Sequence, residues 1–161
     1  MLDLGSCAIH TMTFRPWTLA QCCEQFAGAG IGGISVWRNV IDQIGIAEAT
    51  RLCRSSGLKI PALVRGGFFV HAEESARQSA LHDNRKCIDE AASIGAEMVV
   101  LGCGARPGVS LARARDQIAW GIEASLPRAQ ASGVKLAIEP LHPMYAADRS
   151  AINRIAEARQ I

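Results

Sequence analysis

Four times along this chain a helical stretch ends in a glycine and an apolar run follows. The instances are Ala29-Gly30-Ile31, Ser56-Gly57-Leu58, Ile94-Gly95-Ala96 and Ser132-Gly133-Val134, with the glycines 27, 38 and 38 residues apart. Glycine suits the left-handed position just past a helix, where a side chain would be strained. Such spacing is too long for hairpins and right for strand–helix units, whose strands run parallel. The pattern predicts five strands, at Leu2–Ala8, Gly33–Trp37, Ala62–Val64, Met98–Gly102 and Lys135–Glu139. The third starts after Pro61, because proline inside a central strand loses a ladder hydrogen bond.

Amphipathic helices fill the intervals. Thr18-Leu19-Ala20-Gln21 reads as a capping box, with Leu19, Cys22, Cys23 and Phe26 as the apolar stripe behind it. A weaker second helix carries Gly45 near its start, and the third shows Ala80, Cys87, Ile88 and Ala91. Ser110 can cap a fourth, striped by Leu111, Ala114, Ile118, Ile122 and Leu126, in which Pro127 is expected to cause a kink or break. A fifth is expected from near Ser150, with Ile152, Ile155 and Ala156. Five such α/β units fit two architectures. One is a doubly wound sheet of flavodoxin-like size, which the pattern alone favours because it leaves no missing pieces; the other is the first part of an eight-unit barrel.

With 161 residues the chain can build one domain with a real core. Hydrophobic residues at 49% and charged residues at 20% fit a globular protein. A net charge of +2, from scattered Lys and Arg, points away from nucleic acid and anionic membranes. No apolar segment approaches the roughly 20 residues of a membrane span. The N-terminus, with Asp3 and no basic region, does not read as a signal peptide, so a cytoplasmic protein is expected. The six cysteines form no C-x-x-C pair and several sit at apolar positions, which predicts reduced core thiols.

The C-terminal ends of the strands are where parallel α/β folds bind ligands. Strand one leads to His10, strand two to Trp37 and Arg38, and strand three to Arg65, Phe68, Phe69 and His71. Strand four leads to Cys103 and Arg106 through a glycine-rich loop, and strand five ends at Glu139 with His142 beyond. Pro140 stops that strand and leaves the Glu139 carboxylate at the mouth, suited to metal ligation or acid–base work. A salt-bridged Glu139 and a solvated His142 is the plainer reading of the same residues. The arginines suit anionic or hydroxyl-rich ligands, and the aromatic rings suit a sugar face or core packing equally. Gly28-Ala29-Gly30-Ile31-Gly32-Gly33 matches G-x-G-x-x-G, but it closes a helix and enters a strand, the reverse of a dinucleotide fingerprint. The loop Gly102–Gly108 lacks the Lys-Ser/Thr of a P-loop, and no G-x-S-x-G elbow is present.

The run Leu136-Ala137-Ile138-Glu139-Pro140-Leu141-His142-Pro143, with Gly-Ile-Ser-Val-Trp at 33–37 and Val-Leu-Gly-Cys-Gly at 100–104, resembles the xylose-isomerase-like superfamily. That group includes sugar isomerases and epimerases, inosose dehydratases and the endonuclease IV branch. The resemblance implies a partial (β/α)8 TIM barrel, residues 1–161 forming its first five units as a single domain truncated at the C-terminus. It implies a sugar or sugar-phosphate substrate and proton transfer next to a carbonyl, assisted by a divalent metal such as Mn²⁺ or Mg²⁺. Family members hold that metal with Glu, Asp, His and Glu at the ends of strands five to eight. Glu139 matches the first, as metal ligand and catalytic group, and the other three have no counterpart here. His10, Trp37, Arg38, Arg65, His71, Arg106 and His142 become substrate-binding candidates, His142 standing where many relatives carry Asn. Phosphodiester cleavage fits less well, because the chain lacks a basic face. The competing reading is a half-barrel without catalysis. Open edges at strands one and five would favour self-association, with inward members of Leu2, Leu4, Ile34, Val36, Leu136 and Ile138 left without partners.

Overall fold

Each of the four repeat glycines has a positive φ, from 67° at Gly133 to 81° at Gly95, and each ends a helix or the turn after one. The computed structural model describes residues 3–146 and 148–161. Its strands are β1 (Ala8–His10), β2 (Gly33–Trp37), β3 (Ala62–Gly67), β4 (Met98–Gly102) and β5 (Lys135–Glu139). All neighbours pair in parallel, and the order is β1-β2-β3-β4-β5. A flavodoxin-like sheet would place β1 between two other strands. The sequential order is that of consecutive barrel units instead.

The α-helices are α1 (Leu19–Gly28), α2 (Arg38–Ile44), α3 (Ile46–Ser55), α4 (Glu74–Ile94), α5 (Leu111–Ser132) and α6 (Ile155–Ala158). The Thr18–Gln21 capping box forms at the start of α1, and Leu19, Cys22, Cys23 and Phe26 are all buried. Side chains alternate across each strand. Ile34, Val36, Leu63, Val99 and Leu101 are buried in the main core, facing the helices, with Leu136 packed beside them. Ile138 faces a second cluster made of Val70, Cys103, Ala114, Ile118, Ala151 and Ile152. The opposite face of the sheet therefore carries Ala8, His10, Ser35, Trp37, Val64, Val100, Gly102, Ala137 and Glu139. Of the residues from which inward members were expected, Ile34, Val36, Leu136 and Ile138 therefore all face the helices and keep their partners. Leu4, 48% exposed, sits in a turn rather than a strand, and Leu2 lies outside the described residues.

Other expectations need correction as well. β1 is Ala8–His10, because the Asp3 carboxylate accepts from the Gly5 N–H at 3.0 Å and from the Ser6 hydroxyl at 2.8 Å and curls Leu4–Ser6 into a 3-10 turn. β3 runs on to Gly67. The weak second helix is two helices hinged at Gly45, whose φ is +80°. α5 continues through Pro127; that residue and Glu123, whose carbonyl loses its N–H partner, are both exposed to water. Leu111 and Leu126 are exposed at 54% and 40%. The buried stripe of α5 is instead Ala114, Gln117, Ile118, Gly121, Ser125 and Ala129. A Cβ at Gly121 would meet the Phe69 ring at 2.2 Å, so that ring fills the groove glycine leaves. The expected fifth helix is short, and Ser150–Ile152 is a buried segment whose Ser150 bridges to Gly104. The six cysteines are free thiols, five of them buried. Among the described residues no helix is long and apolar enough to cross a membrane.

Candidate functional site

Four strands bring a connected set of side chains to one end of the sheet. At the end of β1, His10 stands in register with Ser35. Its Nδ1 accepts a hydrogen bond from the Trp37 indole N–H at 3.2 Å. The Trp37 backbone N–H donates to Oγ1 of buried Thr11 at 3.1 Å, which ties the end of β2 to the segment after β1. Ser35 Oγ, on the axis face, is a buried side-chain polar atom without a hydrogen-bond partner among the described residues.

The register of β3 against β4 shifts between Val64 and Gly66. Arg65 is the extra residue of this irregularity, and such bulges re-aim a side chain. Its guanidinium lies 4.5 Å from the Phe68 ring centroid and 5.9 Å from that of Trp37. Its Cδ passes 3.7 Å from where a Gly102 Cβ would stand, so the arginine crosses β4 over a glycine. Gly102 is paired with Glu139 on β5. Glu139 is exposed at the strand end. Burial and repulsion from Arg149 hold Arg65 below the ordinary guanidinium range, against the pull of Glu139.

The turn after β3 is fixed from behind. Phe68 adopts φ +56°, and the preceding Gly67 is held by Asn84 from α4. Phe69 is fully buried, so it belongs to the core and offers no face to a ligand. Farther along, the His71 ring Nδ1 meets the Arg106 guanidinium at 3.1 Å, and the His71 backbone N–H donates to Gln117 Oε1 at 3.0 Å. These two rim residues form their own pair.

Two candidates serve other purposes. Arg38 opens α2 and turns to α4, donating to both carboxylate oxygens of Asp83 at 2.8 and 2.9 Å and to Glu90 at 2.8 Å. The His142 Nδ1 accepts from the Met144 N–H at 3.2 Å and so caps a 3-10 turn. Arg149 was not legible as a rim residue. Its carbonyl accepts from Gly104 N–H at 3.1 Å and the Ala151 N–H donates back to Gly104 O at 2.9 Å, a non-local pairing with no sequence signature. Its guanidinium sits 5.1 Å from the Tyr145 ring centroid.

Glu139 does not make a metal cage by itself. Among the described residues no three His, Cys, Asp or Glu side chains gather to hold an ion. The positive charge of Arg65 further disfavours a cation bound by Glu139 alone. The divalent metal implied by the resemblance thus finds one of its four ligands here, and the residues present do not fit it unaided.

A protein of Sinorhizobium meliloti 1021 is 44% identical, with a TM-score of 0.90 over 95% of this chain and 57% of its own. The 3-keto-D-glucoside 4-epimerase of E. coli shares the fold at 18% identity, with a TM-score of 0.78 over 95% of this chain and 61% of that one. The IolI protein, solved with a zinc atom, does so at 15% identity, with a TM-score of 0.78 over 95% and 56%. The chain thus spans less than two-thirds of the length of each. No curated protein matches. The model of the xylose isomerase-like TIM barrel matches residues 23–161, and the chain belongs to that family.

Proposed function

We propose that this chain provides the proton-transfer half of a sugar or sugar-phosphate isomerase or epimerase, with Glu139 as the catalytic base. The observation that carries this reading is a carboxylate that makes no ion pair among the described residues, exposed at the end of β5 and in register with Gly102 of β4, over which the ring-stacked Arg65 reaches from β3. A carboxylate can take a proton from carbon next to a carbonyl. The electron pair left behind moves onto the carbonyl oxygen and forms an enediolate. Positive charge at Arg65 favours that oxygen's negative charge. Return of the proton to the former carbonyl carbon, with the hydroxyl proton passing to the other enediolate oxygen, gives isomerisation; delivery of a proton to the opposite face of the same carbon, from a donor on that side, gives epimerisation. Trp37, Phe68 and His10 supply a ring face and polar edges suited to a sugar.

Glu139 would also supply one ligand to Mn²⁺ or Mg²⁺ when other donors complete the cage. Self-association through the open edges β1 and β5 belongs to the same proposal. The competing reading, a half-barrel that serves only in assembly, is favoured by the lack, among the described residues, of three His, Cys, Asp or Glu side chains gathered to hold an ion.

Deuterium wash-in separates the two readings. In D2O with D-fructose or D-ribulose 5-phosphate, with and without Mn²⁺, the chain is expected to place deuterium on carbon next to the carbonyl. Glu139→Gln should slow this about 10²–10⁴-fold. Absence of exchange under every condition would leave the assembly reading standing.

A further inference from the structure

Two arginines flank the Gly102–Gly104 segment closely enough for the charge of Arg149 to act on Arg65. Arg65 crosses Gly102 from β3, while Arg149 is brought to Gly104 by the two backbone hydrogen bonds of the returning segment. Each lies against an aromatic ring: Arg65 against Phe68 and Trp37, Arg149 against Tyr145. Stacking of this kind holds the planar guanidinium while leaving its N–H fork free for a ligand. Arg65 makes no ion pair among the described residues. Arg149 has only its chain neighbour Asp148, at 4.0 Å, with both side chains more than half exposed. Such a contact contributes little. Glu139 is the other carboxylate beside Arg65.

We propose that Arg65 and Arg149 together clamp an anionic group, a phosphate or carboxylate, carried by the substrate of this mouth. The segment between them suits that purpose. A Cβ at Gly102 would meet the Phe68 ring at 3.6 Å and Arg65 Cδ at 3.7 Å, and one at Gly104 would meet the Phe68 backbone at 3.2 Å, so glycine gives Arg65 and Phe68 their room. Burial already works against the Arg65 charge, and a bound anion would relieve that cost. The bulge at Arg65 also gains a purpose, because it aims the side chain across the sheet instead of along it.

This inference rests on the sugar reading, and calorimetric titration can separate the two. The probes are D-ribulose 5-phosphate, 5-keto-D-gluconate, neutral D-fructose and inorganic phosphate. The phosphorylated or the carboxylated ketose is expected to bind at least ten-fold tighter than D-fructose, and the tighter of the two identifies the anion. Arg149→Gln, at an exposed position, should remove that preference while changing D-fructose affinity less than two-fold, and Arg65→Met should remove the preference as well. Inorganic phosphate bound in an arginine-dependent way, with no sugar bound, would uphold the anion clamp and overturn the sugar reading. D-fructose bound as tightly as both anionic ketoses would overturn the clamp and leave the sugar reading intact. Absence of binding by every probe would also overturn the clamp.

Discussion

Asn84 closes a two-bond ring with the backbone of Gly67: its Oδ1 accepts from the Gly67 N–H at 2.6 Å and its Nδ2 donates to the Gly67 C=O at 2.8 Å. A buried side chain of α4 thereby fixes the turn that presents Phe68 and, two residues before Gly67, Arg65. The room for it comes from Gly66, where a Cβ would stand 2.7 Å from Oδ1.

Replacing Asn84 with leucine should therefore do more than loosen a helix. It leaves a buried N–H and C=O unpaired, at about 1–3 kcal/mol for each group stranded. Asn84→Leu is expected to lower the urea midpoint clearly, and to weaken ligand binding at Arg65 in whatever fraction remains folded. An unchanged midpoint would show that water replaces the carboxamide.

The Arg38 network gives a pH-dependent test. Arg38 holds the Asp83 carboxyl below its ordinary value of 3.8. A depressed carboxyl contributes stability that is fully present above its unfolded value and is lost as pH falls through the folded one. Arg38→Met should cost about 3 kcal/mol at pH 7, because it also leaves buried Glu90 with only Lys86 at 3.6 Å. Below about pH 3.8 the gap between wild type and variant should narrow. Urea unfolding at pH 7 and pH 3 reads both numbers, and a constant gap would remove Asp83 from the account.

Thiol chemistry should report the core. Burial pushes Cys53, Cys87 and Cys103 up to about 12 and Cys23 up to about 11. A thiol at 12 is thiolate in roughly one molecule in ten thousand at pH 8, and burial blocks access besides. Iodoacetamide at pH 8 is expected to label half-buried Cys7 first, with the other five reacting only in denaturant. Rapid native labelling of Cys87 or Cys103 would show that α4 or the second core opens readily.

Association is the fourth test. β1 and β5 end the sheet order, and Val100, Met98 and Ala137 are only half-buried on the axis face. Open edges beside apolar surface attract further chains. Light scattering is expected to show a mass that grows with concentration, reduced by Ala137→Lys on the edge strand. A monodisperse monomer at every concentration would refute this.

The strands β2, β4 and β5 were legible to the residue, because helix-stopping glycines and Pro140 bracket short apolar runs. β1 was misplaced because the Asp3 side chain competes for the backbone amides, a local effect stronger than apolar pattern. Glu139 could be placed at the mouth from its proline alone. Arg38 could not be separated from the rim, since its partners Asp83 and Glu90 lie 45 and 52 residues away. Arg149 was invisible for the same reason: only the pairing of Ser150 with Gly104 carries it to the mouth.

The alternation along β2 to β5 separates two kinds of inheritance. Large apolar side chains hold the helices on one face, while the other face carries Ser35, Gly102 and Glu139. A change of chemistry on the second face leaves the packing of the first almost untouched. Descendants of such a sheet can therefore trade substrates one residue at a time without passing through an unfolded ancestor.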